Sequence, residues 1–400
     1  MLSAMVERRL EPHLRAAARQ FRVITLTGPR QSGKTTLCRT AFPSMPYVSL
    51  EPVDVREFAV RDARGFLDRF PDGAILDEIQ HAPALLSLVQ ERVDGSKKRG
   101  QFVLTGSQNL TLLASVSQSL AGRTAVLHLL PLSLDEVRRF PRPPKGLFET
   151  IVAGSYPELH DEAIPPERWY ASYVATYVER DVRQVVRVGD LRSFQTFLRL
   201  VAGRAGQLLN LSALGADAGI SQPTAKAWLS VLETGFIVFQ LPPLHRNLNK
   251  RLTKSPKVYF HDTGLLCWLL GIRSRTDLMH HPLRGAIFEN WVVSEVMKAR
   301  VHEGETPALC FYRDKSGREI DLVLDTGTRF DMVEIKSGKT IASDWFANLD
   351  AVGEIVANAR ASDAPRGKIG RIVVYGGDES QARTGTKVLS WTDVANHPWT

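Results

Sequence analysis

Short apolar runs alternate with helical spacings through the first third of the chain. The runs fall at residues 23–26, 47–50, 74–76, 102–104 and 126–130. Strands separated by amphipathic helices predict a parallel sheet covered on both faces. Ahead of the first run, Leu2, Met5, Val6, Leu10 and Leu14 recur at helical spacing and predict an amphipathic first helix. The run Pro141, Arg142, Pro143 and Pro144 then interrupts the alternation and marks a boundary.

From about residue 146 to 205 the spacing is mostly helical, including 169–186 and 191–201. The next stretch reads as a helix over 211–218, a turn at Gly219-Ile220-Ser221, a helix over 223–234 and a β-like run over 236–241. That order resembles a winged helix-turn-helix. A short strand at 257–260 and a helix at 262–270 follow. Beyond about residue 285 the pattern predicts a helix at 287–299 and strands at 308–312, 319–324 and 331–335. A helix at 343–352 and a strand at 371–375 come next.

Apolar residues make up 44% of the chain and charged residues 24%, the balance of a globular fold rather than a disordered one. The longest apolar stretch, 265–270, is too short to span a bilayer. Glu7 and Glu11 among the N-terminal arginines fit neither a signal peptide nor a transit peptide. Cys38, Cys267 and Cys310 are scattered without metal-ligand spacing, which suits a reducing compartment. The expectation is a cytoplasmic protein with no membrane partner. A net charge of +8 permits DNA or RNA as a partner without requiring it.

The chemistry begins at Gly28-Pro29-Arg30-Gln31-Ser32-Gly33-Lys34-Thr35, which satisfies GxxxxGK[ST] between an apolar run and a helical stretch. The two glycines let the backbone curl so that successive N–H groups face a phosphate. Lys34 reaches the β- and γ-oxygens, and the Thr35 hydroxyl ligates Mg²⁺. The following helix, with Thr36 in its first turn, turns its positive end on the same anion. The loop predicts ATP and Mg²⁺ as cofactors; it reads phosphates, and no clear guanine-recognition motif accompanies it.

The run at 74–76 ends in Asp77 and Glu78. At the C-terminal end of a parallel strand these carboxylates face the triphosphate crevice. Asp77 is placed to hold Mg²⁺ and Glu78 to orient or deprotonate the attacking water. Ser107, after the next run, has two readings: a contact to the γ-phosphate or lytic water, or a helix cap. Arg123 is a candidate arginine finger acting across a subunit boundary, which implies a homo-oligomer; the alternative is a solvated or acid-paired arginine.

This order of parts resembles the AAA-type branch of the phosphate-loop ATPases. The segments Leu76-Asp77-Glu78-Ile79-Gln80, Leu104-Thr105-Gly106-Ser107 and Ser119-Leu120-Ala121-Gly122-Arg123, with the loop itself, stand as they do in one prokaryotic family. Gly154-Ser155-Tyr156-Pro157-Glu158 and residues 177–181 also resemble that family's linker. Its members join an AAA-type ATPase to a C-terminal domain of unsettled function. The predicted fold class is α/β in three parts. Residues 1–145 form a P-loop AAA-type ATPase domain, 146–275 a helical and winged-helix-like region, and 276–400 an α/β PD-(D/E)xK nuclease-like domain.

In the helix over 223–234, Ala225, Trp228, Leu229 and Leu232 share one apolar face, leaving Gln222, Lys226 and Ser230 outward. Residues 234–261 hold Glu nowhere and Asp nowhere between Thr234 and His261, yet carry Arg246, Lys250, Arg251, Lys254 and Lys257. Such a stretch suits phosphate contacts to nucleic acid, or a solvated face. Further on, Glu334 and Lys336 share one face of a strand and Asp321 lies on the strand before it. With Glu289 on the preceding helix, these residues could hold a divalent metal, Lys336 polarising the scissile phosphate. The constellation resembles the PD-(D/E)xK nuclease fold, which also occurs in inert, structural forms. Two functions follow: an ATPase coupled to nucleic-acid binding or processing, or an ATP-dependent switch on a protein partner with an inert C-terminal scaffold.

Overall fold

The computed structural model describes residues 6–106, 116, 119–162, 164–178, 191–244, 255–360 and 368–399. Strands β1 (Val23–Thr27), β2 (Tyr47–Ser49), β3 (Ala74–Asp77), β4 (Phe102–Gly106) and β5 (Thr124–His128) form a parallel sheet in the order β2-β3-β4-β1-β5. Each coincides with a predicted apolar run. The inner strands β1, β3 and β4 are buried along their whole length, which is why they read as continuous apolar runs.

Helices α1 (Glu11–Gln20) and α2 (Lys34–Ala41) cover one face of this sheet; α3 (Val53–Arg61), α4 (Ala63–Asp68) and α5 (Leu85–Asp94) lie on the other side. Successive strand residues point to opposite faces. Thus Ile24, Ile75 and Val103 pack with Leu14 and Leu37, while Val23, Leu76 and Leu104 pack with Phe66, Leu85 and Val89. The first helix departs from expectation. Residues 6–10 are not helical, and α1 starts at Glu11 because Pro12 favours the first turn, where its missing N–H costs nothing.

The chain then runs through α6 (Leu134–Arg138), α7 (Leu147–Ala153), α8 (Pro157–Asp161) and α9 (Pro166–Tyr173) into a π-helical turn at Val174–Val178. The rest of the helix expected over 169–186 lies outside the described residues. Next come α10 (Leu191–Ala202), α11 (Leu211–Ala218) and α12 (Gln222–Thr234), followed by the antiparallel pair β6 (Val238–Leu241) and β7 (Lys257–Phe260). Gly219 closes α11 in a left-handed conformation, φ 68°, and the Ser221 side chain caps α12.

After α13 (Thr263–Leu269) and α14 (Arg275–His280) comes α15 (Arg284–His302), buried on every side from Ile287 onward except at Glu289. A helix so enclosed is ordinarily apolar all round. This one instead bonds its polar groups: Asn290 donates to the Phe260 carbonyl and accepts from its N–H, both at 2.8 Å. Strands β8 (Leu309–Arg313), β9 (Glu319–Asp325), β10 (Arg329–Lys336), β11 (Lys368–Tyr375), β12 (Gln381–Arg383) and β13 (Thr386–Ser390) form a mixed sheet in the order β12-β13-β11-β10-β9-β8.

On its other face, Leu349, Val352 and Val356 of α16 (Ala347–Arg360) pack against Val323, Phe330 and Val373. The α15 face shares one continuous core with the middle of the chain, joining Phe197, Trp228, Tyr259, Trp291, Phe311 and Trp399. The backbone joins them too. Leu244 N–H donates to the Phe311 carbonyl at 2.7 Å and Phe311 N–H to the Pro242 carbonyl at 3.0 Å, extending the sheet past β8.

Candidate nucleotide-binding site

The C-terminal ends of β1, β3 and β4 converge on one crevice, the usual ligand position in an open parallel sheet. The loop leaving β1 must be tight: a Cβ on Gly28 would lie 2.2 Å from the Leu129 carbonyl oxygen. Gly33, at φ 91°, turns the chain into α2, whose free N–H groups point at an anion. Lys34 is buried, and its ammonium donates to the Gly28 and Pro29 carbonyls at 3.0 and 2.8 Å. Burial lowers its pKa to about 8, against the opposing pull of Glu78 and Asp77.

Asp77 is held by hydroxyls from three elements. Thr35 Oγ1 donates to its Oδ2 at 2.9 Å, Tyr47 donates to the same oxygen at 2.6 Å, and Thr105 donates to Oδ1. The Thr35 hydroxyl and Asp77 carboxylate are hard oxygen donors side by side, a set that fits Mg²⁺. Glu78 follows with φ 57°, a left-handed conformation unusual for a bulky residue and common where a fold holds a reactive group in place. The Gln80 amide donates to its carboxylate, and its own N–H donates to Thr105 Oγ1 at 3.4 Å.

Arg30, Gln31, Lys34, Thr35, Thr36 and Glu78 line a cleft of about 430 Å³. An adjoining cavity of about 320 Å³, sharing Gly33, Thr36 and Pro157 with it, runs between Leu37, Leu132 and Phe140. Sequence reasoning missed Arg8, which lines that cavity. Its buried guanidinium donates to the Ser32 carbonyl of the loop at 2.6 Å, to the Leu130 carbonyl at 2.8 Å and to Glu136 at 3.0 Å. Tyr47 was also missed, since it opens an apolar run and leaves no other signal, whereas Thr105 stands at the head of the polar segment that follows the run at 102–104.

Ser107 lies outside the described residues. Arg123 sits at the far end of the sheet from the loop: its carbonyl accepts from Val23 N–H, at the start of β1. Its guanidinium is forked onto Asp94, at 2.6 and 2.8 Å, so it cannot serve the loop of its own chain.

Helix α12 presents its apolar face inward as expected, while Ser230, expected outward, is half-buried. Ala225, Trp228, Leu229 and Leu232 are buried, and Gln222 and Lys226 are exposed. Arg246, Lys250, Arg251 and Lys254 lie outside the described residues. Lys257 corrects the sequence reading: it is not on a solvated basic face but only 2% exposed, paired with Glu289 at 3.0 Å and Glu319 at 2.5 Å. Its place on β7 is the reason. Lys257 and Tyr259 share one face of that strand, and both reach Glu289 of α15.

Glu289, Asp321, Glu334 and Lys336 do come together. Asp321 accepts from Ile335 N–H at 2.8 Å, and burial with Glu289 and Glu334 nearby pushes its carboxyl well above the usual range. Lys336 pairs with Glu334 at 2.6 Å. Among the described residues, however, no group of three or more acidic, histidine or cysteine side chains is arranged to hold a metal ion.

A parallel sheet in this order, with a glycine loop after β1 and acids after β3, defines an AAA-type P-loop ATPase. A family profile described as an AAA domain matches residues 20–138. Two domains of unknown function, DUF8612 and DUF4143, match residues 144–276 and 284–394. The chain is 32% identical over 347 residues to uncharacterized protein Rv2008c of Mycobacterium tuberculosis, and equally to Mb2031c of Mycobacterium bovis. Each match spans 84% of this chain and 75% of the relative. The chain belongs to the family of these mycobacterial proteins.

Among solved structures it is similar to the Walker-type ATPase PABY2304 of Pyrococcus abyssi, with a TM-score of 0.43 and 15% identity over 66% of this chain and 96% of that one. It is also similar to AMPPCP-bound DnaA from Aquifex aeolicus, with a TM-score of 0.30 and 12% identity over 56% and 85%. No helix among the described residues is long and apolar enough to cross a membrane.

Proposed function

We propose that this protein is a Mg²⁺-dependent ATPase whose nucleotide state switches its middle and C-terminal regions. The loop N–H groups and Lys34 bind the β- and γ-phosphates, Thr35 and Asp77 hold Mg²⁺, and the base enters the cavity between Leu37, Leu132 and Phe140. Mg²⁺ held there would supply positive charge to offset the negative charge developing on the transferred phosphoryl group. Glu78 accepts a proton from the attacking water. Arg123 is acid-paired with Asp94, and the finger reading requires it to leave that pair and reach the loop of a neighbouring subunit in a homo-oligomer.

The observation that carries the switch is the Arg8 clamp. One side chain holds the loop carbonyl of Ser32 and, through Glu136, the turn into α6. That turn is in turn gripped by α15: Leu134 N–H donates to Glu295 at 2.8 Å, and Lys298 donates to the Leu132 carbonyl at 3.0 Å. A phosphate that reshapes the loop therefore pulls on a helix central to the rest of the chain. Limited proteolysis of the full chain tests this. A saturating non-hydrolysable ATP analogue with Mg²⁺ is expected to change cleavage in the middle region, and Lys34→Ala to abolish the change. Identical cleavage at saturation rejects the switch.

A second reading, ATPase coupled to nucleic acid, is favoured by the exposed face of α12 followed by a two-stranded hairpin, the order of a winged helix. It predicts that DNA or RNA stimulates ATP turnover in a salt-dependent way. The order of α15, β8, β9, β10, α16 and β11 supports a nuclease-like fold for the part beyond about residue 276. The three-part division at 145 and 275 is likewise our reading, with the second and third parts built around one core.

A further inference from the structure

Four carboxylates, Glu289, Glu319, Asp321 and Glu334, gather where α15 and β9 meet the middle region. In a nuclease-like fold such a gathering is where a divalent ion would be sought, yet these residues do not fit one. We propose that Lys257 is the resident cation of this cluster. Its ammonium stands in for the divalent ion, fastens β7 to α15 and β9, and keeps the cluster metal-free.

Five of the eight carboxylate oxygens are already committed. Glu289 Oε1 accepts from Lys257 Nζ at 3.0 Å and from the Tyr259 hydroxyl at 2.6 Å, which uses both lone-pair directions of that atom. Glu319 Oε1 receives Lys257 Nζ at 2.5 Å, and its Oε2 receives Arg313 Nη1 at 3.1 Å. Asp321 Oδ2 accepts from Ile335 N–H, and Glu334 Oε1 pairs with Lys336. Four carboxylates therefore face three cations, Lys257, Lys336 and Arg313. Glu334 Oε2 is buried without a partner among the described residues, and among those residues no group of three or more acidic, histidine or cysteine side chains is arranged to hold a metal ion.

Charge repulsion disfavours a divalent ion on the two oxygens that Lys257 holds. A divalent ion sits at about 2.0–2.6 Å from its carboxylate oxygens. An ion on Glu289 Oε1 or Glu319 Oε1 would then lie within about 6 Å of the ammonium, two cations repelling each other at short range. Lys257 cannot swing aside easily: it is 2% exposed, and its ammonium lies 5.5 Å from the centre of the Phe311 ring. Because Lys257 belongs to β7, the cluster is spent on joining two parts of the chain. Nothing in this arrangement involves the phosphate loop, so it stands or falls separately from the ATPase reading.

Manganese titration of the nucleotide-free full chain, with free Mn²⁺ read by electron paramagnetic resonance, tests the assignment. Wild type is expected to bind no Mn²⁺ that Asp321→Asn removes; an Asp321-dependent site in wild type overturns the proposal. Lys257→Met is expected to melt at lower temperature and to gain one Mn²⁺ site, with at least tenfold tighter binding than wild type. Mn²⁺ should recover part of its lost melting temperature. A folded Lys257→Met that gains no Mn²⁺ also overturns it. If Lys257→Met does not fold, Lys257→Arg, which keeps the charge, decides together with wild type: it should fold and stay free of Asp321-dependent Mn²⁺, and a bound ion there refutes the assignment.

Discussion

Raising the pH should loosen nucleotide binding through Lys34 alone. In the nucleotide-free loop its ammonium is buried against two carbonyls and its pKa falls from 10.5 to about 8. Bound phosphates return it at least to its ordinary value, because the desolvated cation then faces anions. The free protein is about three-quarters protonated at Lys34 near pH 7.5 and about one-tenth at pH 9, so affinity should drop about eightfold across that interval. By the same linkage, binding should take up about 0.9 proton at pH 9 and only about a quarter of one at pH 7.5.

The sign for stability is opposite to that of a paired lysine. The unfolded chain keeps the proton that the folded loop sheds, so Lys34 makes the nucleotide-free protein gain stability as pH rises from 8 toward 10.5. Isothermal titration of a non-hydrolysable analogue in two buffers of different ionisation enthalpy measures both affinity and proton uptake. A flat affinity from pH 7.5 to 9, with no uptake at pH 9, would refute the reasoning.

Glu78→Gln should bind ATP within about threefold of wild type and lose at least 10²-fold in turnover, since the amide keeps the shape but accepts no proton; equal loss of binding in titration would rule out that role. Mixing Arg123→Ala with Lys34→Ala protein should restore some of the ATPase activity both lack, as mixed assemblies pair an intact loop with an intact arginine. Full turnover by an Arg123→Ala protein would remove the finger. Gly28→Ala should lower stability by about 3 kcal/mol in denaturant unfolding, because its methyl group would fall on the Leu129 carbonyl. A loss below about 1 kcal/mol would show that the loop yields.

How much could be read from the sequence depended on distance along the chain. The inner strands β1, β3 and β4 were legible because strands buried on both faces are mostly apolar, and the edge strands β2 and β5 from the runs at 47–50 and 126–130. The glycine spacing of the loop is local by nature. Helices α11 and α12 and the turn between them were legible too, from Gly219 and the capping Ser221 between two apolar faces. Arg8 was not, because its partner Glu136 is 128 residues away and nothing near either marks the pairing. Lys257 was misread for the same reason: a stretch without acids looks solvated until Glu289, 32 residues on, is folded against it. The start of α1 was missed because helical spacing was followed past the point where Pro12 sets the first turn.

The enclosure of α15 bears on how the chain is made. The first sheet is complete once β5 has emerged, so that part can fold while synthesis continues. The core around Phe197 and Trp228 has no such independence, since it includes Trp291, Phe311 and finally Trp399. Its apolar side chains from Phe197 onward therefore leave the ribosome before the residues around Trp399 that complete their core. A premature stop anywhere after β7 would yield a sound ATPase sheet carrying an exposed, aggregation-prone tail.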